Sequence, residues 1–427
     1  MTVLRQVGRS DSLGLLWRLP TALQLLVVSQ FAFNVGFYLV VPFIAAHLSD
    51  DLALAGWIVG LVLGLRTFSQ QGLFFLGGAL ADRFGIRRTI LLGVSIRILG
   101  FVVTGMARDV WSIMLGVVLI GFAAALFSPA VESAITAWAG DLEQEGGPRR
   151  VEVIGLEVMA SKLGTIVGPL LGGVLLVIPF ATTCLVAAGI FGCILLAHLI
   201  WLPAGSRAGA SSGIRESMGD VLGNRLFLLF ALIHCTYLLS YNQLYLALPV
   251  ELHRIGAPSA NITWLFGLAA VLVIGGQLPV TRFVARWSVA KVFGWGYALM
   301  AAGFLGVAVL AVLPVLPGWF AYLPAVWFVL GLHLGQILVL PAARTVVAEL
   351  AGGRRLGSHL GMLASVGGVA VLLGSTAIGV VLPRAATTSG LAFLPWLLLA
   401  VPPALSAVGA VAFSRRHLDP SSRKGNR

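Results

Sequence analysis

The sequence predicts an all-α membrane protein whose twelve crossing helices form two pseudo-symmetric six-helix bundles, and three observations lead there. Of the 427 residues, 59% are hydrophobic and only 10% charged, whereas a soluble domain is about half apolar and about a quarter charged. The apolar residues fall into runs of about 20 or more, the length a helix needs to cross a bilayer core. Features of the first half also recur in the second, in the same order and at offsets close to half the chain.

The spans read in order as 21–46, 56–80, 89–106, 111–138, 152–176, 181–201, 224–250, 260–281, 290–312, 319–346, 357–382 and 390–413. The first follows a basic segment as a signal peptide would. It is too long for one and has no small-residue cleavage site, so it is expected to stay as a span. Residues 1–202 then form the first bundle, 203–223 a linker, 224–413 the second bundle and 414–427 a basic tail. The linker holds Pro203, several Gly and Ser and charges of both signs, with a short amphipathic helix expected from Ile214 to Val221. The three cysteines, Cys184, Cys193 and Cys235, lie in apolar spans without metal-ligand spacing and imply no disulfide framework.

A net charge of +12 would suggest nucleic acid in a soluble chain, but its distribution excludes that partner. With the N-terminus inside, the inner segments hold most of the Arg and Lys, while the outer loops hold Arg108, Arg254 and Arg384. That bias places both termini in the cytoplasm of a bacterial inner membrane protein. The tail doubles as an orientation signal and a surface for anionic lipid heads.

The repeats are specific enough to align the halves. Tyr38-Leu-Val-Val-Pro42 in span one matches Tyr245-Leu-Ala-Leu-Pro249 in span seven. Pro129 with Glu132 in span four matches Pro341 with Arg344 in span ten, and Arg149-Arg150 matches Arg354-Arg355. Two bundles with a midplane site between them is the architecture alternating access requires.

Gly77-Gly78-Ala-Leu-Ala-Asp82-Arg83-Phe84-Gly85-Ile86-Arg87-Arg88 joins spans two and three. Gly77 and Gly78 allow close helix contact, Gly85 permits a tight turn, and Asp82 suits a helix N-terminus or an arginine. This run closely resembles the most widespread signature of the major facilitator superfamily, which implies a latch between bundles carried by Asp82, Arg83, Arg87 and Arg88. The matching loop Arg282 to Trp287 has neither Asp nor turn Gly. In span five, Gly164, Gly168, Pro169, Gly172 and Gly173 stand as in the motif of that superfamily's drug:proton antiporters, which implies export. Gly64-Leu65-Arg66 with Gln70-Gln71-Gly72 is similar to the MdtH-type multidrug-resistance branch. Two departures stand out: Val117 occupies the place of an arginine common in span four, and Ser29 and Gln30 stand where some relatives carry an acid.

Charges inside a membrane are costly and are functional candidates by default. Here they are Arg66, Arg97, Glu132, Glu157, Lys162 and Arg344, with positive charge in excess. Glu132 and Arg344 occupy equivalent positions and are expected either to meet as a gate when the cytoplasmic side closes, or to pair within their own bundles or snorkel to the interface. Glu132 and Glu157 are the proton-coupling candidates, because a carboxyl in low dielectric titrates nearer neutrality. Arg66 and Arg97 lie near the midplane, where either holds a carboxylate ionised or attracts an anionic substrate. Tyr237, Tyr241 and Tyr245 share a helix face, with Asn242 and Gln243 beside them and Asn34 and Tyr38 opposite. Asn34, Tyr38, Arg66, Tyr237, Tyr241 and Asn242 are therefore the substrate-binding candidates, suited to a mixed apolar and weakly polar small molecule. His234 and His333 are either titrating groups or hydrogen-bonded interior residues.

There is no P-loop, zinc spacing, dinucleotide fingerprint or nucleophile elbow, so no cofactor, metal or enzymatic role is expected. The favoured expectation is a monomeric secondary transporter that exchanges protons for an exported amphipathic molecule. Its rivals are an uptake transporter or uncoupled facilitator of a small metabolite, and a lipid flippase.

Overall fold

The computed structural model of the chain describes residues 12–74, 80, 84–203, 214–284, 286–352, 356–386 and 390–418. Among these residues there is helix and no strand. The crossing helices are α1 Thr21–Tyr38, α2 Gly56–Thr67, α3 Ile86–Met106, α4 Val110–Gln144, α5 Arg150–Val174, α6 Phe180–Trp201, α7 Arg225–Arg254, α8 Ile262–Phe283, α9 Val289–Ala311, α10 Leu323–Leu350, α11 Leu356–Val381 and α12 Leu394–His417. Among the described residues eleven stretches are long and apolar enough to cross a membrane. The remaining helix, α2, passes into a π turn at Phe68–Gly72, and residues 75–79 beyond it lie outside the described set. Several helices outrun the expected spans: α4 reaches Gln144 rather than 138, and α10 reaches Leu350 rather than 346. The linker helix is present as Ile214–Gly223.

Within the first bundle α3 packs on α4 and α6, α1 on α5 and α6, and α2 on α4. Within the second, α9 packs on α10 and α12, α7 on α11 and α12, and α8 on α10. Raising each helix number in the first set by six produces the second, which is the pseudo-two-fold relation between parallel repeats. The same relation holds across the bundles, where α2 meets α11 and α5 meets α8. Exposed apolar side chains such as Val309, Leu373, Leu405 and Val408 face outward, as lipid-facing positions do.

The paired Tyr-x-x-x-Pro segments fold differently. Proline lacks a donor and its ring crowds the carbonyl four residues back. In the first bundle Pro42 therefore ends regular α1 at Tyr38; the chain continues as a 3₁₀ turn Val41–Phe43, a short helix Ile44–Ala46 and a π turn His47–Asp51. In the second bundle Pro249 is absorbed within α7, which continues to Arg254. Arg254, read from sequence as an outer-loop charge, is instead the last residue of α7. It lies buried against Glu251, with guanidinium-to-carboxylate distances of 2.9 and 2.6 Å. At the start of α4, Asp109 accepts from the backbone N–H of Trp111 and Ser112 at 2.9 and 3.0 Å and from the Ser112 hydroxyl at 2.7 Å. These bonds hold its carboxyl below the usual carboxylate range.

The bundles join on the face opposite the basic loops. A Cβ on Gly56 would stand 2.5 Å from the Gly379 carbonyl, one on Gly64 2.9 Å from the Leu372 Cα, and one on Gly60 would strike the Ser375 carbonyl. Glycines spaced by four thus lay α2 directly on the α11 backbone. Toward the basic face α2 and α11 stay in contact, the Ser365 hydroxyl donating to the Gly72 carbonyl at 2.9 Å, while polar side chains of α4, α5 and α10 are left uncovered. Glu132, Ser133 and Thr136 of α4 are exposed, as are Lys162 of α5 and Arg344 and Thr345 of α10.

Candidate transport site

The site is built where α1, α2 and α5 of one bundle face α7, α8 and α10 of the other. A cavity of about 60 Å³ lies there, lined by Tyr38, Lys162, Thr165, Tyr241, Phe266, His333 and Gln336 among others. Tyr38 projects into it because it is the last residue before the α1 break. The Tyr237, Tyr241 and Tyr245 rings run down one face of α7, the first pair near-parallel with centroids 6.5 Å apart and the second edge-on at 6.2 Å. The Tyr38, Tyr241 and Tyr245 side chains lie within electrostatic reach of one another, and the Tyr38 and Tyr245 rings both pack edge-on or tilted against Phe266 at 6.4 and 5.6 Å. Tyr245 is buried in this cluster.

Arg66 lies behind the tyrosines and is 5% exposed. Its guanidinium sits 5.3 Å from the Phe37 ring centre and 5.4 Å from that of Tyr245. Its Nη2 donates to Thr67 Oγ1 at 2.7 Å, and Thr67 donates to Asn242 Oδ1 at 2.9 Å. Asn242 Nδ2 then donates to Ser375 Oγ at 3.1 Å. Asn242 therefore spends its oxygen on α2 across the bundles and its N–H on α11 within its own bundle, rather than on the cavity. Arg97 is wholly buried, with its guanidinium 4.1 Å from Phe33, 4.9 Å from Phe37 and 5.2 Å from Phe191. Its Nη1 donates to the Ile120 carbonyl at 3.0 Å, close to the place where α4 lacks an arginine. The Nε of each arginine has no partner among the described residues.

The carboxylates lie nearer the basic face. Gln30 Nε2 donates to Glu157 Oε1 at 2.9 Å, so the amide of α1 meets an acid supplied by α5. Glu132 is within electrostatic reach of Glu157 and of Arg344. Glu132 and Arg344 make no direct ion pair here. Asn34 turns to α5, donating to Ser161 Oγ at 3.1 Å. Its neighbours explain the glycine motif. A Cβ on Gly164 would stand 2.7 Å from that of Asn34, and one on Gly168 2.6 Å from that of Tyr38. Gly172 meets the Leu39 carbonyl, while Gly173 and Pro169 meet Thr263 of α8, whose hydroxyl donates to the Pro169 carbonyl at 3.0 Å. The motif thus presses α5 onto α1 at the binding face and onto the other bundle at its outer end.

Of the latch residues, Asp82 and Arg83 lie outside the described residues. Gly85 takes φ 86°, a left-handed turn that glycine adopts without strain, and starts α3. Arg87 Nη2 donates to the Leu199 carbonyl at 2.9 Å, tying this loop to the end of α6, and Arg88 is exposed. His234 shares a 2.7 Å hydrogen bond with the Tyr297 hydroxyl, and His333 Nδ1 donates to the Val329 carbonyl at 2.8 Å. Sequence reading missed the glycines at 56, 60 and 64, whose four-residue spacing was visible, and the Glu251–Arg254 pair, whose spacing of three was.

Helical hairpins repeated by a pseudo-two-fold, with a polar cavity between the halves, define a membrane transporter. The chain belongs to the major facilitator superfamily: the profile of the Major Facilitator Superfamily matches residues 26–375. It is a multi-pass transporter of small molecules and not an enzyme. An uncharacterized MFS-type transporter of Mycobacterium tuberculosis (strain ATCC 25618 / H37Rv) is 37% identical over 83% of this chain and 84% of that protein. The Multidrug resistance protein MdtH of Aeromonas hydrophila is 31% identical over 85% and 88%, and that of Salmonella typhi 32% over 79% and 80%. The fold is shared with the nucleoside transporter NupG, with TM-score 0.74 at 14% identity, covering 92% of this chain and 100% of that one. A POT family transporter in complex with 5-aminolevulinic acid has TM-score 0.75 at 12% identity, over 93% and 96%.

Proposed function

We propose that the protein exports an amphipathic small molecule from the bacterial cytoplasm across the inner membrane in exchange for protons, by alternating access and as a monomer. The observation that carries this reading is the pair of carboxylates at the mouth between the bundles. Glu157 is held by a neutral amide, and Glu132 faces Arg344 across the bundles. Neither acid is locked in a direct ion pair among the described residues, so either is free to exchange a proton as the mouth opens and closes. The glycine motif of α5 and the named MdtH relatives support export, and the inward bias of Arg and Lys supports cytoplasmic termini.

In this cycle, substrate enters from the basic face and settles against the tyrosines. The mouth closes as Glu132 approaches Arg344, and the motif residues Asp82, Arg83, Arg87 and Arg88 serve as a latch. Proton uptake from outside weakens that attraction and returns the protein to the form open on the basic face. Substrate and proton need only bias the two forms oppositely. The test is respiring inverted vesicles containing the protein, with the pH gradient followed by a dye. Lipophilic cations, neutral aromatics and amphipathic anions are added in turn. A substrate-triggered, protein-dependent loss of the gradient is expected; transport with no proton movement sinks the exchange reading.

A further inference from the structure

We propose that Arg66 is an anion-selecting residue, and that the molecule carried is an aromatic or apolar body bearing a carboxylate or similar oxyanion. The proposal rests on the cavity between the bundles being the seat of the transported molecule. Two independent features support it.

The first is the cavity wall. Its polar side chains are Tyr38, Lys162, Thr165, Tyr241, His333 and Gln336. Lysine is a cation, and the hydroxyls and the amide have O–H or N–H groups to offer, while His333 spends its Nδ1–H on the Val329 carbonyl. No carboxylate is among them; Glu132 and Glu157 lie outside this lining, toward the mouth. Phe266, Leu244, Ala269 and Val273 supply an apolar side. Such a wall suits an amphipathic anion and leaves a cationic ligand without a counter-charge.

The second is the charge behind the wall. Arg66 is 5% exposed, makes no ion pair among the described residues, and has an Nε without a partner. Its electrostatic neighbours are the Tyr38, Tyr241 and Tyr245 hydroxyls, two of which belong to cavity-lining residues. Arg97, also without a carboxylate partner, adds a second positive charge within reach of Arg66. A buried guanidinium facing only aromatic rings and neutral oxygens is an expensive arrangement. An oxyanion entering the cavity offsets it: it takes hydrogen bonds from Tyr38 and Tyr241 and lies in the field of Arg66 and Lys162. Moving the Tyr38 side chain aside brings the anion to the guanidinium itself, where planar bidentate pairing is available. Depth therefore separates the acids from the buried arginines, with Glu132, Glu157 and Arg344 toward the mouth and Arg66 and Arg97 at the apex.

The experiment is calorimetric titration of the purified full-length protein in detergent with three ligands sharing one ring system: 1-naphthylacetate, 1-naphthylacetamide and 1-naphthylmethylammonium. The carboxylate is expected to bind at least tenfold more tightly than the amide, and the ammonium most weakly. Arg66→Gln lowers carboxylate affinity tenfold or more and leaves amide affinity within twofold, while Arg66→Lys retains most of the preference. Lys162→Gln, at an exposed position less prone to misfolding, lowers carboxylate affinity several-fold. The proposal is overturned if the amide or ammonium equals or exceeds the carboxylate, or if Arg66→Gln weakens carboxylate and amide alike. It is also overturned if none of the three produces binding heat at millimolar concentration. Selective carboxylate binding with no accompanying proton movement in vesicles would remove the exchange reading and leave this one standing.

Discussion

Glu157 and Glu132 differ in company, and that difference sets what each substitution is expected to do. Glu157 accepts from the Gln30 amide at 2.9 Å, while Glu132 stands exposed with Arg344 as its electrostatic partner across the bundles. Glu157→Gln and Glu132→Gln each remove a proton site while keeping the shape. At least one is expected to reduce substrate-triggered proton movement in inverted vesicles tenfold or more. If both leave it intact, the coupling assignment is wrong. Asn242→Ala probes a different role, since its amide bridges Thr67 and Ser375 away from the cavity. Losing that joint costs about 1 kcal/mol, as interhelical hydrogen bonds in membranes do. That is roughly a fivefold shift toward the form open on the opposite face, measurable by fluorescence-detected distances between the bundles. Residue chemistry was legible in the sequence where charge sat in an apolar run, as at Arg66, Arg97 and Glu157. Partners were not legible: Gln30 and Glu157 lie far apart in the chain, and periodicity within one helix says nothing of the helix facing it.

At the scale of the helix, glycine spacing sets how close two backbones come. On α2 the glycines at 56, 60 and 64 face α11, and on α5 those at 164, 168 and 172 face α1. The second set was readable as a motif. The first was readable only as a four-residue spacing, because nothing local distinguishes a helix that packs on its own bundle from one that packs on the other. Gly60→Val places a branched side chain against the Ser375 carbonyl, an overpacking cost of about 1–3 kcal/mol. It is expected to favour separation of α2 from α11, seen as tenfold or greater loss of reactivity of a cysteine placed at Glu132. Gly155→Ala, where no atom lies within 4 Å of the new Cβ, is expected to change stability by less than about 0.5 kcal/mol. Equal effects of the two would show that the α2–α11 approach does not set the conformation. The same contrast explains the proline repeat. Identical spacing broke α1 and spared α7, since tertiary packing decides whether a helix continues past a proline.

For the whole molecule, hydropathy runs and internal repeats were enough to read twelve spans and two bundles, because each helix must satisfy its own backbone in lipid. The side on which polar side chains are left uncovered was not readable, since a pseudo-symmetric chain carries the contacts of both forms at once. The exposure of α4, α5 and α10 side chains on the basic face makes a topological prediction. In a cysteine-free background, Arg344→Cys is expected to react with a membrane-impermeant maleimide in inverted vesicles and not in intact cells. Labelling only in intact cells would reverse the orientation and, with it, the direction of export.

The joint between α2 and α11 touches through carbonyls and Cα atoms, whereas the cavity is lined by side chains. Mutation therefore meets two materials in one machine. The bearing has almost nothing to substitute without seizing, while the cargo hold can be refitted one residue at a time. New cargo specificities should then arise by repainting the α1, α7 and α10 faces, with the hinge left as it was.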